Sequence, residues 1–289
     1  MVKIAAMGDN VVDCYLARHE MYPGGNCLNV AVQARRFGAQ SAYIGAIGRD
    51  PAGDLINDAL AAEGVDVTHM RRLDNATAYC LIGHRNADRV FLDFDLGVSM
   101  FTPSQEDLEF LSSFDAVHIG QSSGLDAWVD AASRKALLSY DFSTRREPQH
   151  RKAIGRHCFL GSVSGDGLSE SEITSIAGEL LETGTEWVLV TRGRAGAVLH
   201  SRSASYRTSA QLIEPVDTLG AGDAFIARTL FGLLEREMPA QVLAHAAKAA
   251  AITCGYYGAV GYPSVIDLGE ATADILQQTR GFRLENASD

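Results

Sequence analysis

Apolar residues recur along this chain in two rhythms. Residues 3–7, 41–47, 116–119, 137–142 and 187–191 form short apolar runs bounded by turn residues, the pattern of buried strands. Between them, residues 52–63, 105–113, 127–135 and 170–182 repeat their apolar positions at helical spacing. The alternation predicts an α/β fold of βαβ units, with a mainly parallel sheet covered on both faces. Ligands of such sheets sit beyond the carboxyl ends of the strands. Two stretches break the rhythm, 11–22 and 76–94. The second holds two strand-like pieces, 77–84 and 89–94, joined by Arg85-Asn86-Ala87-Asp88, which predicts a hairpin.

Two glycine-rich segments each run into a helical stretch. Asp217-Thr218-Leu219-Gly220-Ala221-Gly222-Asp223 precedes residues 224–234. The first N–H groups of a helix are unpaired and its dipole is positive there, which suits a phosphoryl group. Asp223, at the joint, is placed to take the proton of an attacking hydroxyl, and the helix start favours its ionised form. The segment lacks the Gly-Lys-Ser/Thr ending of a Walker A loop and is no Gly-x-Gly-x-x-Gly turn. Taken alone it is also ordinary punctuation before a helix. The other segment, Gly24-Gly25-Asn26-Cys27-Leu28-Asn29, leads into a helix that Gly38 is placed to cap.

With these two segments at their respective ends, the chain resembles the ribokinase/PfkB carbohydrate kinase family over about residues 2–265. The matching residues are Gly24, Gly25, Asn29, Ala31, Gly38 and Gly48, then Asp217 to Asp223. The resemblance implies a ribokinase-like three-layer sandwich, one kinase domain over 1–289. Its small β lid would be formed by about 11–23 and 76–98, and in this family such lids often pair two subunits into a homodimer. It implies transfer of the γ-phosphoryl group of ATP, with Mg²⁺, to a primary hydroxyl of a sugar. Asp223 would be the base, with the N–H groups of Gly220, Ala221 and Gly222 beside it. The sugar would meet Asp13, Gly24, Gly25 and Asn29, together with Asp9 and Asn10, for which a turn closing the strand is the alternative. The nucleotide would lie along Thr191, Gly193 and Gly196, with Arg192 on phosphate or in solvent, and along Leu219, Gly220 and Gly222. Adenine would sit near Leu219 and a helix over 244–257. Cys27 stands where the family has Gly, Ala or Pro, an exchange expected to alter sugar contacts.

The family's Asn-x-x-Glu element, which organises magnesium, is missing. Ser162-Val163-Ser164-Gly165-Asp166-Gly167 stands there instead. Asp166 or Glu170 would substitute, or ATP and water would hold the ion, so the metal ligands stay unassigned. A monovalent-cation site near Asp217 occurs in parts of the family, and these residues do not decide it.

Within the family, Gly8-Asp9-Asn10 with Asp13, Asp88-Arg89-Val90-Phe91 with Gly97-Val98, and Ser139 to Ser143 are most similar to bacterial fructoselysine kinases. That implies phosphorylation of the 6-hydroxyl of a fructosyl amino acid. Arg18, His19, Arg85, Arg89 and Asp93 on the lid would read the amine and carboxylate of such a substrate. The alternatives are a kinase of a simple ketose, sugar acid or nucleoside, and a non-catalytic sugar-binding regulator.

Composition narrows this further. A net charge of −11, from 25 basic and 36 acidic residues, argues against nucleic-acid and anionic-membrane partners but not against ATP. The 5 cysteines are scattered and form no metal or disulfide pattern. No leader or membrane-length apolar run is visible, so the cytoplasm is the expected location. His118 reads as a satisfied buried or pocket-edge residue, and Asp141-Phe142-Ser143 as a further contact at the active edge. The polar tail 281–289 has no assigned role.

Overall fold

The structure, a computed structural model, describes residues 1–85 and 88–269, with the side chains of all of these except 84, 85 and 88–90. The turn residues Asn86 and Ala87 and the tail 281–289 lie outside the described residues.

In chain order the elements are β1 (Lys3–Met7), β2 (Val11–Tyr15), β3 (Glu20–Gly24), α1 (Asn26–Arg36), β4 (Gln40–Gly48), α2 (Pro51–Glu63), β5 (Met70–Leu73), β6 (Tyr79–Arg85) and β7 (Asp88–Asp95). Then follow α3 (Gln105–Leu111), β8 (Ala116–Gly120), α4 (Val129–Ser133), β9 (Leu137–Asp141), α5 (Pro148–Gly155), β10 (Cys158–Ser164), α6 (Glu170–Thr183) and β11 (Trp187–Thr191). The chain continues through β12 (Ala197–His200), β13 (Ser205–Thr208), α7 (Ala221–Leu234), α8 (Pro239–Thr253) and β14 (Ser264–Val265).

Nine strands form the main sheet in the order β13-β12-β11-β10-β9-β8-β1-β4-β5. It is parallel from β11 through to β5, and β12 and β13 join as antiparallel edge strands. One face packs its apolar residues, among them Val117, Ile119, Leu138 and Tyr140, with Leu108, Ile154 and Ile176 of the helices α3 to α6. The other packs Ile4, Ala116 and Leu189 against Val30, Phe225, Leu230 and Leu243 of α1, α7 and α8. These are the three layers. Strand alternation decides which residue faces which helices.

The lid is a second sheet, β14-β3-β2-β6-β7. Its β6–β7 hairpin is antiparallel as predicted, whereas β2 and β6 run parallel, with Val12 opposite Tyr79. Tyr15, Tyr22 and Ile82 form a small apolar cluster of its own, packed on by Leu219 and Tyr257.

Two expected helices differ from the structure, and three further elements join them. The helix expected at 244–257 runs over Pro239–Thr253, because Pro239 with its fixed φ opens it. Helix α5 was not foreseen, although Pro148 marks its first turn in the same way. Residues 127–135 split into a tight turn at Asp126–Trp128 and the short α4. Strands β5 and β14 are too brief to show a period. Among the described residues no helix is long and apolar enough to cross a membrane.

Candidate active site

Strand β1 ends at Met7, and the chain turns through Gly8, Asp9 and Asn10 into β2. The Asp9 carboxylate accepts the N–H of Asn26 at 2.9 Å and the Ser123 hydroxyl at 2.8 Å. It thus caps the start of α1, where Gly25 holds φ at +104° and offers no side-chain cap. Any Cβ on Gly25 would lie 2.6 Å from Asn10 Cα, so close approach and backbone angle both require glycine. The Asn10 amide donates to the Tyr43 hydroxyl at 2.8 Å and to Ala46 O at 2.7 Å. Its Oδ1 is buried with no partner among the described residues. Asp13, buried on β2, sets its carboxylate against Gly24, where a Cβ would come within 2.0 Å of Asp13 Oδ2.

Helix α7 begins after Gly220, at φ +76°, where a Cβ would strike that of Ala259 at 2.4 Å. Gly222 faces open space, with nothing within 4 Å of its Cβ direction. The N–H groups of Gly222 and Asp223 have no acceptor among the described residues, as expected for a first helical turn. Asp223 is half-buried. Its two oxygens accept from the Asn26 amide at 2.8 Å and the Asn29 amide at 2.7 Å, which joins the two glycine-rich segments. Asn29 Oδ1 is buried and without a partner among the described residues. The Asn26 amide also reaches Asp141 Oδ2 at 3.2 Å. Asp141 further accepts from Ser162 Oγ at 2.9 Å and from its own loop at Ser143 N, 3.0 Å.

Burial pushes the Asp223 carboxyl up to about 7; Asp141 and Asp9 nearby raise it further, and the Asn29 and Asn26 amides oppose them. Burial likewise lifts Asp141 to about 6, against the hydrogen bonds from Ser143 and Ser162. These influences oppose the ionised form that the helix start favours.

The other predicted residues are placed less uniformly. Thr191 closes β11, and Gly193 and Gly196 shape the turn beyond it; at Gly196 a Cβ would sit 2.0 Å from Thr208 O. Arg192 is paired with Glu170 at 2.7 Å, and Arg207 meets the same carboxylate at 2.8 Å, so neither solvent nor a free acid stands there. Asp166 is exposed on the preceding turn. Asp217 accepts from Leu219 N at 3.0 Å and Gly258 N at 3.1 Å, and Tyr15 donates its hydroxyl to it from the lid. The Leu219 side chain packs on the lid cluster, and the Ala246 and Ala247 face of α8 is spent in the core with α7. Cys27 does not reach the site: it is fully buried, with Sγ between Met7 O and Gly120 N, each at 3.3 Å.

A cleft of about 90 Å³ opens beside Asp9 and Asn10, walled by Tyr79, Asp95, Met100 and Ser122. Among the described residues no basic side chain lines it. Arg18 is bound to Glu20 at 2.7 Å and lies over the Tyr257 ring at 3.9 Å, away from this cleft. Arg89 takes its place on β7 opposite His84, and its side chain, like that of Arg85, lies outside the described residues.

Sequence reasoning missed Asn26 as a hub and His118 as its neighbour. His118 Nε2 lies 2.9 Å from Asn26 Oδ1, and its Nδ1 lies 2.9 Å from Ser139 Oγ. The signal was available in part. His118, Ser139 and Asp141 are polar residues at alternate positions of apolar strands, so period two sends them all to the face bearing α1 and α7.

The model of the pfkB family carbohydrate kinases matches residues 3–142 and 160–264. Fructosamine kinase FrlD of Bacillus subtilis is 35% identical over 266 residues, covering 90% of this chain and 94% of that protein. Fructoselysine 6-kinase of Escherichia coli is 31% identical over 261 residues, covering 90% and 100%. The structure of an Arabidopsis thaliana ribokinase complexed with ribose and ATP superposes with a TM-score of 0.79 at 19% identity, over 90% and 95% of the two chains.

Proposed function

This chain belongs to the pfkB family of carbohydrate kinases and is a sugar kinase; from that premise we propose that it phosphorylates the 6-hydroxyl of fructoselysine or a related fructosyl amino acid, with ATP as donor. The observation that carries the chemistry is Asp223 held between two amides at the open start of α7. The sugar oxygen attacks the γ-phosphorus, its proton passes to Asp223, and the bond to the departing ADP breaks. The free N–H groups of Gly222 and Asp223 stabilise charge on the moving phosphoryl group. A base titrating near 7 is matched to neutral pH.

Asp13, Asn10 and Asn29 serve the sugar. The two unpartnered amide oxygens suit hydroxyl donors. Gly220, Ala221 and Gly222 serve the phosphates, with Thr191, Gly193 and Gly196 along the nucleotide. Mg²⁺, when bound, would supply charge neutralisation to the phosphates. Among the described residues no cluster of three His, Cys, Asp or Glu could hold a metal.

The narrow substrate reading rests on the two fructosamine-directed relatives and on the cleft. Its wall is acidic through Asp95, which suits the protonated amine on the first carbon of a fructosyl amino acid better than a neutral ketose. Strand β7, an edge of the lid, exposes Phe94 by 65%, and on this reading a second copy covers it. ADP release with Mg-ATP across fructoselysine, other fructosyl amino acids, fructose, ribose and adenosine is the test. Selectivity of at least about tenfold in kcat/KM for fructosyl amino acids, a ~1.4 kcal/mol preference, is expected. Preference for a plain sugar keeps the kinase and removes the substrate.

A further inference from the structure

The Asn26 side chain is a junction with one consistent set of protons. Its amide nitrogen lies within hydrogen-bond distance of two carboxylates, Asp141 and Asp223, which accept. With both acids ionised the nitrogen end faces them, one N–H to each, and Oδ1 faces His118. An amide oxygen cannot donate, so the proton between them belongs to His118 Nε2. Nδ1 is then bare and accepts from the Ser139 hydroxyl. His118 is completely buried, and burial holds its imidazolium down to about 3, so the ring is neutral and exists as this one tautomer.

We propose that His118 is a positioning residue for phosphoryl transfer: its Nε2–H locks the orientation of the Asn26 amide, which in turn presents N–H groups to Asp223 and Asp141. A reversed amide would turn its oxygen on the two acids, remove a donor from each and place a partial negative charge between them. The titrating groups in this shell are Asp223, Asp141 at the end of β9 and Asp9 after β1, with neutral Cys27 behind Asp9. With donors facing it, Asp223 ionises at lower pH than it otherwise would. The lock therefore sets the pH at which the base is available. This inference rests on the kinase reading only for its consequence in turnover, not for the geometry.

Two measurements test it without catalysis. Long-range ¹H–¹⁵N spectra of the unmodified protein report the tautomer of His118; protonation at Nε2 is expected, and protonation at Nδ1 overturns the proposal. The side-chain carboxyl ¹³C resonance of Asp223, assigned by its loss in Asp223→Asn, is then titrated. In His118→Phe, shown folded by cooperative unfolding, it should move up by about one pH unit, a tenfold loss of carboxylate at pH 6. His118→Gln, which keeps a donor, should move it back towards the unmodified value. An unmoved titration in folded His118→Phe overturns the proposal, whereas a merely structural histidine would lower amplitude or stability without shifting it. The acid limb of kcat/KM should follow the titration. Absence of turnover with every sugar would sink the kinase reading and leave the tautomer and titration results to decide the lock.

Discussion

The Tyr15 hydroxyl, in the smaller sheet, donates to the Asp217 carboxylate in the loop that leads into α7. Residues far apart in sequence thus join that sheet to the start of α7. Asp217 passes the contact on through Leu219 N and Gly258 N. Tyr15→Phe keeps the ring packed on Tyr22 and Tyr257 and removes this bond. A hydrogen bond to a charged group contributes ~1.5–3 kcal/mol, so urea unfolding should register a loss of that size. An unchanged midpoint would show that the bond carries nothing.

Asp223→Asn should lower kcat by about 10²–10⁴, the usual contribution of a positioned general base. Sugar binding by calorimetry should persist, because Asp13 and Asn29 remain. Retained turnover would move the base elsewhere.

Gly222→Ala separates stability from activity. The methyl group meets no protein atom within 4 Å, and alanine favours a helix over glycine by about 0.5–1 kcal/mol. Unfolding free energy should rise slightly while kcat/KM for ATP falls at least about tenfold, the rate equivalent of ~1.4 kcal/mol, because the methyl group fills space meant for phosphate. Full activity in a stabilised variant would place the phosphates elsewhere.

The raised carboxyls also predict a slope of stability with pH. Asp223 and Asp141 bind protons up to about 7 and about 6 when folded, against an ordinary value of 3.8. Across that window the folded chain holds protons that the unfolded chain has released, so stability falls as pH rises and levels off above about 7. Asp223→Asn removes one of the two contributions. The stability of the unmodified chain relative to this variant should therefore be lower at pH 8 than at pH 5, and a difference independent of pH would contradict it.

Local pattern made the strands, the main helices and both glycine-rich segments legible, because each carries its own period or punctuation. Spacing singled out Asp223 and Asn29 as candidates. The Asn26 junction was not legible: its partners come from α1, β8, β9 and α7, and only the sheet order brings them together. For a related reason the direction of Cys27 was hidden: helical rotation turns its side chain inward while the flanking Asn26 meets Asp223. The charge of the cleft was equally hidden, since Arg18 lies on the lid yet is held by Glu20 and Tyr257.

The parallel seam between β2 and β6 bears on how such an enzyme could acquire a new substrate. A hairpin can be lifted from one protein and set into another as a single insertion. This lid cannot, because its strands come from residues 11–24, 79–95 and 264–265, and its central pairing exists only once the main sheet has brought the first two together. On the proposed reading specificity would therefore change by substitution within a shared frame, residue by residue along the cleft, and a grafted lid would need matched exchange at separate places in the chain.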